Sequence, residues 1–146
     1  MRYTVDITID LPRDQVIALF NNSENMTKWQ PDLMSFEHLS GEPGEVGTKS
    51  KLKYKMGKRK VEMIETITKN TLPEALDGTY STSGVYNIIS NRFEIFNESQ
   101  TKWISENEFQ FTGFMKIMGF FIKGSFPKQT LKVMQQFKTF AEGNPI

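Results

Sequence analysis

The segment VEMIETITK at 61–69 places one carboxylate where apolar side chains are expected. Val61, Met63, Glu65 and Ile67 share one parity of an extended chain, and that parity is more apolar than Glu62, Ile64, Thr66 and Thr68. An inward-facing strand surface would therefore hold Glu65. A buried carboxylate must be paired, hydrogen-bonded or protonated, and burial raises its pKa. Such a group is a candidate general acid or base, with Tyr54 or Asn107 placed to polarise a substrate. A bulge or strand end that turned Glu65 to solvent would remove that role, and the pattern leaves both arrangements open.

Other chemistries are excluded by composition. The chain has no Cys, so disulfides, thiolate nucleophiles and zinc–thiolate sites are absent. His38 is the sole histidine, and a transition-metal site would have to rest on carboxylates, so neither a metal nor a cofactor is expected. His38 stands beside an acidic turn with no nucleophile at a known spacing, which points to a structural role. With 18 Lys+Arg against 17 Asp+Glu the net charge is +1, and nothing global steers the protein to nucleic acid. The run KSKLKYKMGKRK at 49–60 is basic without an acid. It reads as a solvated sheet face that discourages edge pairing, with an anionic headgroup or phosphate as the sharper alternative.

These residues sit on a simple succession of elements. Residues 2–10 alternate, with Tyr3, Val5, Ile7 and Ile9 on one side, as a half-buried strand does. Pro12 suits a first helical turn, and Val16, Ile17, Leu19 and Phe20 make a short amphipathic helix ending near Asn21. A second short helix over Glu24–Trp29 stops before Pro31. Strands are expected at Ser35–Gly41, Thr48–Met56, Val61–Lys69, Leu76–Ser83, Tyr86–Phe96 and Lys102–Phe111, and the short turns between them favour antiparallel neighbours. Ser125 or Phe126 can cap a last helix with Pro127 at its start. Leu131, Met134, Phe137 and Ala141 recur at helical spacing before Gly143 and Pro145 close it. No linker or repeat divides residues 1–146, so one domain is expected. The N-terminal residues carry acids where a secretory signal needs an apolar run, and no stretch reaches the ~18 apolar residues of a spanning helix, so a cytoplasmic protein without stable membrane insertion is expected. No feature sets an oligomeric state.

Strand parity also names the inward residues. Between 48 and 56, Lys49, Lys51, Lys53 and Lys55 face water while Ser50, Leu52, Tyr54 and Met56 face in. In the sixth strand Val85, Asn87, Ile89, Asn91 and Phe93 share a face; in the seventh Trp103, Ser105, Asn107, Phe109 and Phe111 do. If these faces are inward, a few amides and a hydroxyl converge among aromatics, the usual make-up of a small-molecule site. The opposite parity of the sixth strand, Tyr86, Ile88, Ser90 and Arg92, is the competing arrangement. All phenylalanines except Phe20 and Phe36 lie between Phe93 and Phe140. The segment GFMKIMGFFIKG at 113–124 is too apolar for one helix face. A core-packed connection is the expected reading. A mobile apolar lip at the cavity mouth, suited by the adaptable thioethers of Met115 and Met118, is the alternative.

The order strand, two short helices, six antiparallel strands and long C-terminal helix resembles the START-like (SRPBCC) superfamily, which includes Bet v 1-like and polyketide cyclase/dehydrase-like proteins. The likeness is carried by VDITIDLPRDQVIALFNNSENMTKWQPDL, the VEMIETITKN strand and the FPKQTLKVMQQFKTFAE helix, and spans essentially the whole chain. It implies an α+β helix-grip fold, with a seven-stranded curved antiparallel sheet gripping the last helix over a central cavity. It also implies a small hydrophobic partner, lipid- or polyketide-like, without fixing which one or supplying a catalytic motif. On that reading the ligand contacts are Tyr54, Met63, Asn87, Asn91, Trp103, Asn107, Phe109 and Phe111 from the sheet, Met118 and Phe121 from the lip, and Leu131 and Met134 from the helix. Glu65 is the acid/base candidate if turnover occurs.

Overall fold

A computed structural model describes residues 1–144. Seven strands run β1 (Arg2–Ile9), β2 (Leu33–Ser40), β3 (Lys49–Met56), β4 (Arg59–Thr71), β5 (Ala75–Thr82), β6 (Val85–Asn97) and β7 (Gln100–Phe111). The helices are α1 (Arg13–Phe20), α2 (Met26–Trp29), α3 (Phe114–Ile122) and α4 (Ser125–Gly143). All neighbouring strands pair antiparallel, in the order β1-β7-β6-β5-β4-β3-β2. Five successive connections link adjacent strands. The first connection instead carries α1 and α2 from one edge of the sheet to the other.

Alternation explains the sheet. On β1 the even residues face solvent while Ile7 and Ile9 are buried, and on β7 Trp103, Ser105 and Asn107 are buried on the face that receives α4. The inward residues meet the helices in an aromatic core. Phe137 of α4 lies 5.1 Å from Trp29, 5.7 Å from Phe20 and 5.5 Å from Trp103, each edge to face. Phe93 stacks on Trp103 at 5.6 Å. Edge-to-face and offset contacts of this kind add to the apolar burial of each ring.

The helix ends differ from expectation in detail. Pro12 is the N-cap of α1, its carbonyl accepting from Gln15 and Val16 N–H. Ser125 does not cap α4; it is the first helical residue, and its Oγ donates back to the Ile122 carbonyl, leaving Gly124 as N-cap. Asn144 closes α4, its Nδ2 donating to the Phe140 carbonyl. Pro145 lies outside the described residues.

Two expectations are overturned. Residues 114–122 are not a core-packed connection but a helix with Phe114, Ile117, Phe120 and Phe121 exposed, seated through Gly119 on the Phe111 ring and through Met115 on the β5–β6 turn at Gly84. Leu131 does not face the sheet: it is 37% exposed. At ~100° per residue it stands about 90° from the centre of the stripe formed by Met134, Phe137 and Ala141, which are buried.

Candidate functional site

The inward faces of β2–β7, with α2 and α4, enclose a cavity of about 870 Å³. Its apolar wall is built by the parity described above: Leu52 on β3, Met63 and Ile67 on β4, Val85 and Ile89 on β6, Trp103 and Phe109 on β7, and Phe126, Val133 and Met134 on α4. Polar groups converge at two places on this wall.

The first is centred on Glu65. The cross-strand register sets Ser50 of β3 and Tyr80 of β5 on either side of it. All three line the cavity. The bulge in β4 falls between Ile67 and Lys69, two residues past Glu65, so the carboxyl keeps its inward direction. Tyr80 Oη donates to Glu65 Oε2 at 2.6 Å. Burial raises the Glu65 pKa above its usual value, and the Tyr80 hydrogen bond offsets part of that rise by stabilising the carboxylate. Both nearby phenols are pushed up, Tyr80 by burial and by the Glu65 charge, Tyr54 by the same two causes in the same order. They are donors that stay protonated. Tyr54 Oη donates a hydrogen bond to Gln30 Oε1 at 2.8 Å, so it is not free to polarise a substrate as the sequence suggests. Glu65 Oε1 has no partner among the described residues and remains open to a guest.

The second polar group runs along β6 and β7. Trp103 Nε1 donates to Asn91 Oδ1 at 2.9 Å, and Asn107 Nδ2 donates to Ser105 Oγ at 2.9 Å. Asn87 Nδ2 reaches Asn107 Oδ1 at 3.3 Å and the Glu108 carbonyl at 3.1 Å. The competing parity is excluded, since Tyr86 and Ile88 lie on the exposed face. Each amide has two N–H donors, so Asn107 retains one and Asn91 both for a guest or water.

Of the residues expected to touch a ligand, Tyr54, Met63, Asn87, Asn91, Trp103, Asn107, Phe109 and Met134 line the cavity together with Glu65. Four do not. Phe111 stacks behind the wall on Phe109 and Phe126, at 6.1 and 5.8 Å. Met118 and Phe121 project from α3 on the exterior, and Leu131 points outward from α4. The sequence reading missed Tyr80, Gln30 and the α4 side chains Gln129 and Thr130, all on the cavity wall. His38 also lines the cavity, with Nε2 2.7 Å from the Gly41 carbonyl, an anchor for the β2–β3 turn.

No family model matches the chain, and no curated protein does. Solved structures do match. Ara h 8.0201 superposes with a TM-score of 0.76 at 13% identity, covering 99% of this chain and 99% of its own. The Zhui aromatase/cyclase from Streptomyces sp. R1128 gives 0.81 at 10% identity, covering 97% of this chain and 93% of its own. Norcoclaurine synthase from Thalictrum flavum, in complex with dopamine and hydroxybenzaldehyde, gives 0.76 at 11% identity over 100% of this chain and 88% of its own. The chain therefore has the Bet v 1-like helix-grip fold, whose neighbours include a cyclase and a synthase. Among the described residues, no helix is long and apolar enough to cross a membrane.

Proposed function

We propose that the protein binds and carries a small, largely apolar molecule, lipid- or polyketide-like, between the sheet and α4. The observation that carries this reading is the cavity itself. Its volume of about 870 Å³ falls in the range that encloses a small organic ligand, and its wall is apolar with few converging polar groups. Trp29, Trp103, Phe109 and Phe126 supply flat apolar surface, which suits an aromatic or polycyclic guest. The Glu65–Tyr80 pair and the asparagine row would orient its polar atoms.

The test is native mass spectrometry of gently purified protein combined with titration of a panel of fatty acids and polycyclic phenols. A bound mass, or micromolar binding of one class, is expected. Ile89→Trp places a large ring in the cavity and should abolish that binding while the fold persists by circular dichroism. Binding that survives Ile89→Trp, or no binding by any member of the panel, would overturn the carrier reading.

One observation favours a second reading, an enzyme of cyclase or dehydratase type. Glu65 is a half-buried carboxyl with a raised pKa, hydrogen-bonded on one oxygen and open on the other. As carboxylate, Oε1 could take a proton from carbon beside a carbonyl. As the acid so formed, it could return that proton to a departing hydroxyl, which leaves as water. Tyr80 would stabilise the carboxylate at both ends of the cycle. Conversion of a bound polyketone by wild type but not by Glu65→Gln would establish this reading.

A further inference from the structure

Helix α3 leaves its apolar side chains in solvent. Phe114, Ile117, Phe120 and Phe121 are 72, 59, 68 and 75% exposed. At ~100° per residue, Phe114, Ile117 and Phe121 fall on one side and Gly119 lies roughly opposite. Gly119 is the buried residue, seated against Phe111: a Cβ there would meet the Phe111 ring at 2.9 Å. Phe111 in turn stacks on Phe126, which lines the cavity. The helix is therefore held one ring away from the cavity wall, with its apolar face turned outward.

The charge around this face has one sign. From Gly113 to Ala141 the sequence holds no acid, while Lys116, Lys123, Lys128, Lys132 and Lys138 occur there. Lys138 is neutralised by Glu142 and Asp10; the other four form no salt bridge among the described residues. Strand directions bring a second basic group to the same end of the sheet. The β3–β4 turn with Lys58, Arg59 and Lys60, the β5–β6 turn at Ser83 and Gly84, and the end of β7 that leads into α3 all lie there. Of the acids toward that end, Glu62 and Glu108 are paired with Lys53 at 3.6 Å and Arg2 at 2.7 Å, which leaves Asp32, level with Lys55 at the start of β2, as the one exposed carboxylate there outside a salt bridge among the described residues.

We propose that this end of the molecule docks reversibly on an anionic lipid bilayer, α3 lying in the interface with its phenylalanines among the acyl chains and the lysines meeting the headgroups. A short helix with aromatic residues on one face and lysines at its margins has the character of an interfacial element. Its nine residues span about 13 Å, well short of the ~30 Å hydrocarbon core, so it lies along the surface and does not cross. A second copy of the chain fits the face less well. A two-fold contact through α3 would bring Lys116 and Lys123 of both copies into one interface with no acid of α3 to balance them. Docking would also set the cavity end bounded by Phe126, Val85 and Gly57 beside the bilayer, the phase from which an apolar guest is drawn.

The experiment is co-flotation of the full chain with phosphatidylcholine vesicles, with and without about a third phosphatidylserine. Binding is expected to the anionic vesicles, weakening as salt rises from about 0.1 M to about 0.5 M. Phe120→Ser combined with Phe121→Ser should weaken it by roughly tenfold or more, and Lys116→Gln by roughly fivefold. Both changes sit on exposed positions, and an unchanged thermal midpoint confirms the fold. Phe121→Trp gives a direct reading: its indole emission should shift blue on docking and be quenched by brominated acyl chains. No anionic-vesicle binding, binding indifferent to the phenylalanine pair, or an unquenched indole would overturn the proposal. So would a concentration-dependent dimer in sedimentation that the same pair of substitutions abolishes, because α3 would then be covered by a second copy. None of these readouts needs a cavity ligand, so failure here is separable from failure of the carrier reading.

Discussion

Tyr80 Oη donates to Glu65 Oε2 at 2.6 Å across the β4–β5 ladder, and this one bond keeps a carboxyl tolerable inside an apolar cavity. Removing the donor isolates the acceptor. Tyr80→Phe preserves the ring but leaves Glu65 without its partner, so the carboxyl pKa should rise further and the folded state should lose about 1–3 kcal/mol where Glu65 is ionised. Urea denaturation at neutral and at acidic pH checks this. The loss should be smaller in acid, where a protonated Glu65 no longer needs the donor.

The aromatic core gives a sharper number. Phe137 is fully buried and touches Trp29, Trp103 and Phe20, so Phe137→Ala should cost about 3–5 kcal/mol. Leu131→Gln, one of the pair of outward and inward positions that the sequence placed together, should cost less than about 1 kcal/mol. Chemical denaturation of the two variants reads the rotation of α4 directly.

Strand parity was legible because each strand has one wet face and one dry one. The lysines of β3 mark the outside and turn Tyr54 inward, whereas on β6 the apolar Tyr86 and Ile88 left both parities open until their exposure in the structure set Asn87 and Asn91 inward. Tyr80 was hidden by the bulge. Counting back from the β4–β5 turn, Thr71 pairs Ala75 and Lys69 pairs Asp77, a register that would set Glu65 opposite Ser81. The extra residue at 68 shifts it by one and brings Tyr80 across instead. On α4 the stripe of apolar residues misled because a cavity accepts polar walls: Gln129 and Thr130 face in, and Leu131 beside them faces out. In α3 the apolar composition implied burial, but composition does not supply a surface to be buried against.

The lysines of β3 should matter little to stability. Lys53 makes one exposed contact with Glu62 at 3.6 Å, and exposed pairs of this kind contribute little. Changing Lys51 and Lys53 to Gln should leave the unfolding free energy within about 0.5 kcal/mol. A larger loss in thermal or urea melts would mean that the strip supports the fold.

Asn91 holds the indole of Trp103 in place at the cavity wall, with both residues buried. Asn91→Leu keeps the volume but orphans Trp103 Nε1, which should cost about 1–3 kcal/mol and free the ring to rotate. Unfolding free energy gives the first effect and Trp103 fluorescence anisotropy the second. A stable variant with unaltered emission would show that a water or another group replaces the amide.

Glu65→Gln separates carriage from catalysis and also carries a defined pH signature. The folded-state pKa of Glu65 lies above its ordinary 4.5 because burial disfavours the charge. A group of this sign contributes stability that is fully present below pH 4.5 and is lost as pH rises through the folded value. Glutamine has no such titration and can still accept the Tyr80 hydrogen bond through its amide oxygen. The gain of Glu65→Gln over wild type should therefore be larger at about pH 8 than at about pH 4, measured by urea denaturation at both. A difference independent of pH would place Glu65 in an environment like that of the unfolded chain. The same variant should still take up an apolar ligand, since the wall that holds it is unchanged. If the protein is an enzyme working through Glu65, turnover should fall by a factor on the order of 10²–10⁴ with binding retained. Turnover untouched by the substitution would leave the carboxyl an orienting group in a carrier's cavity.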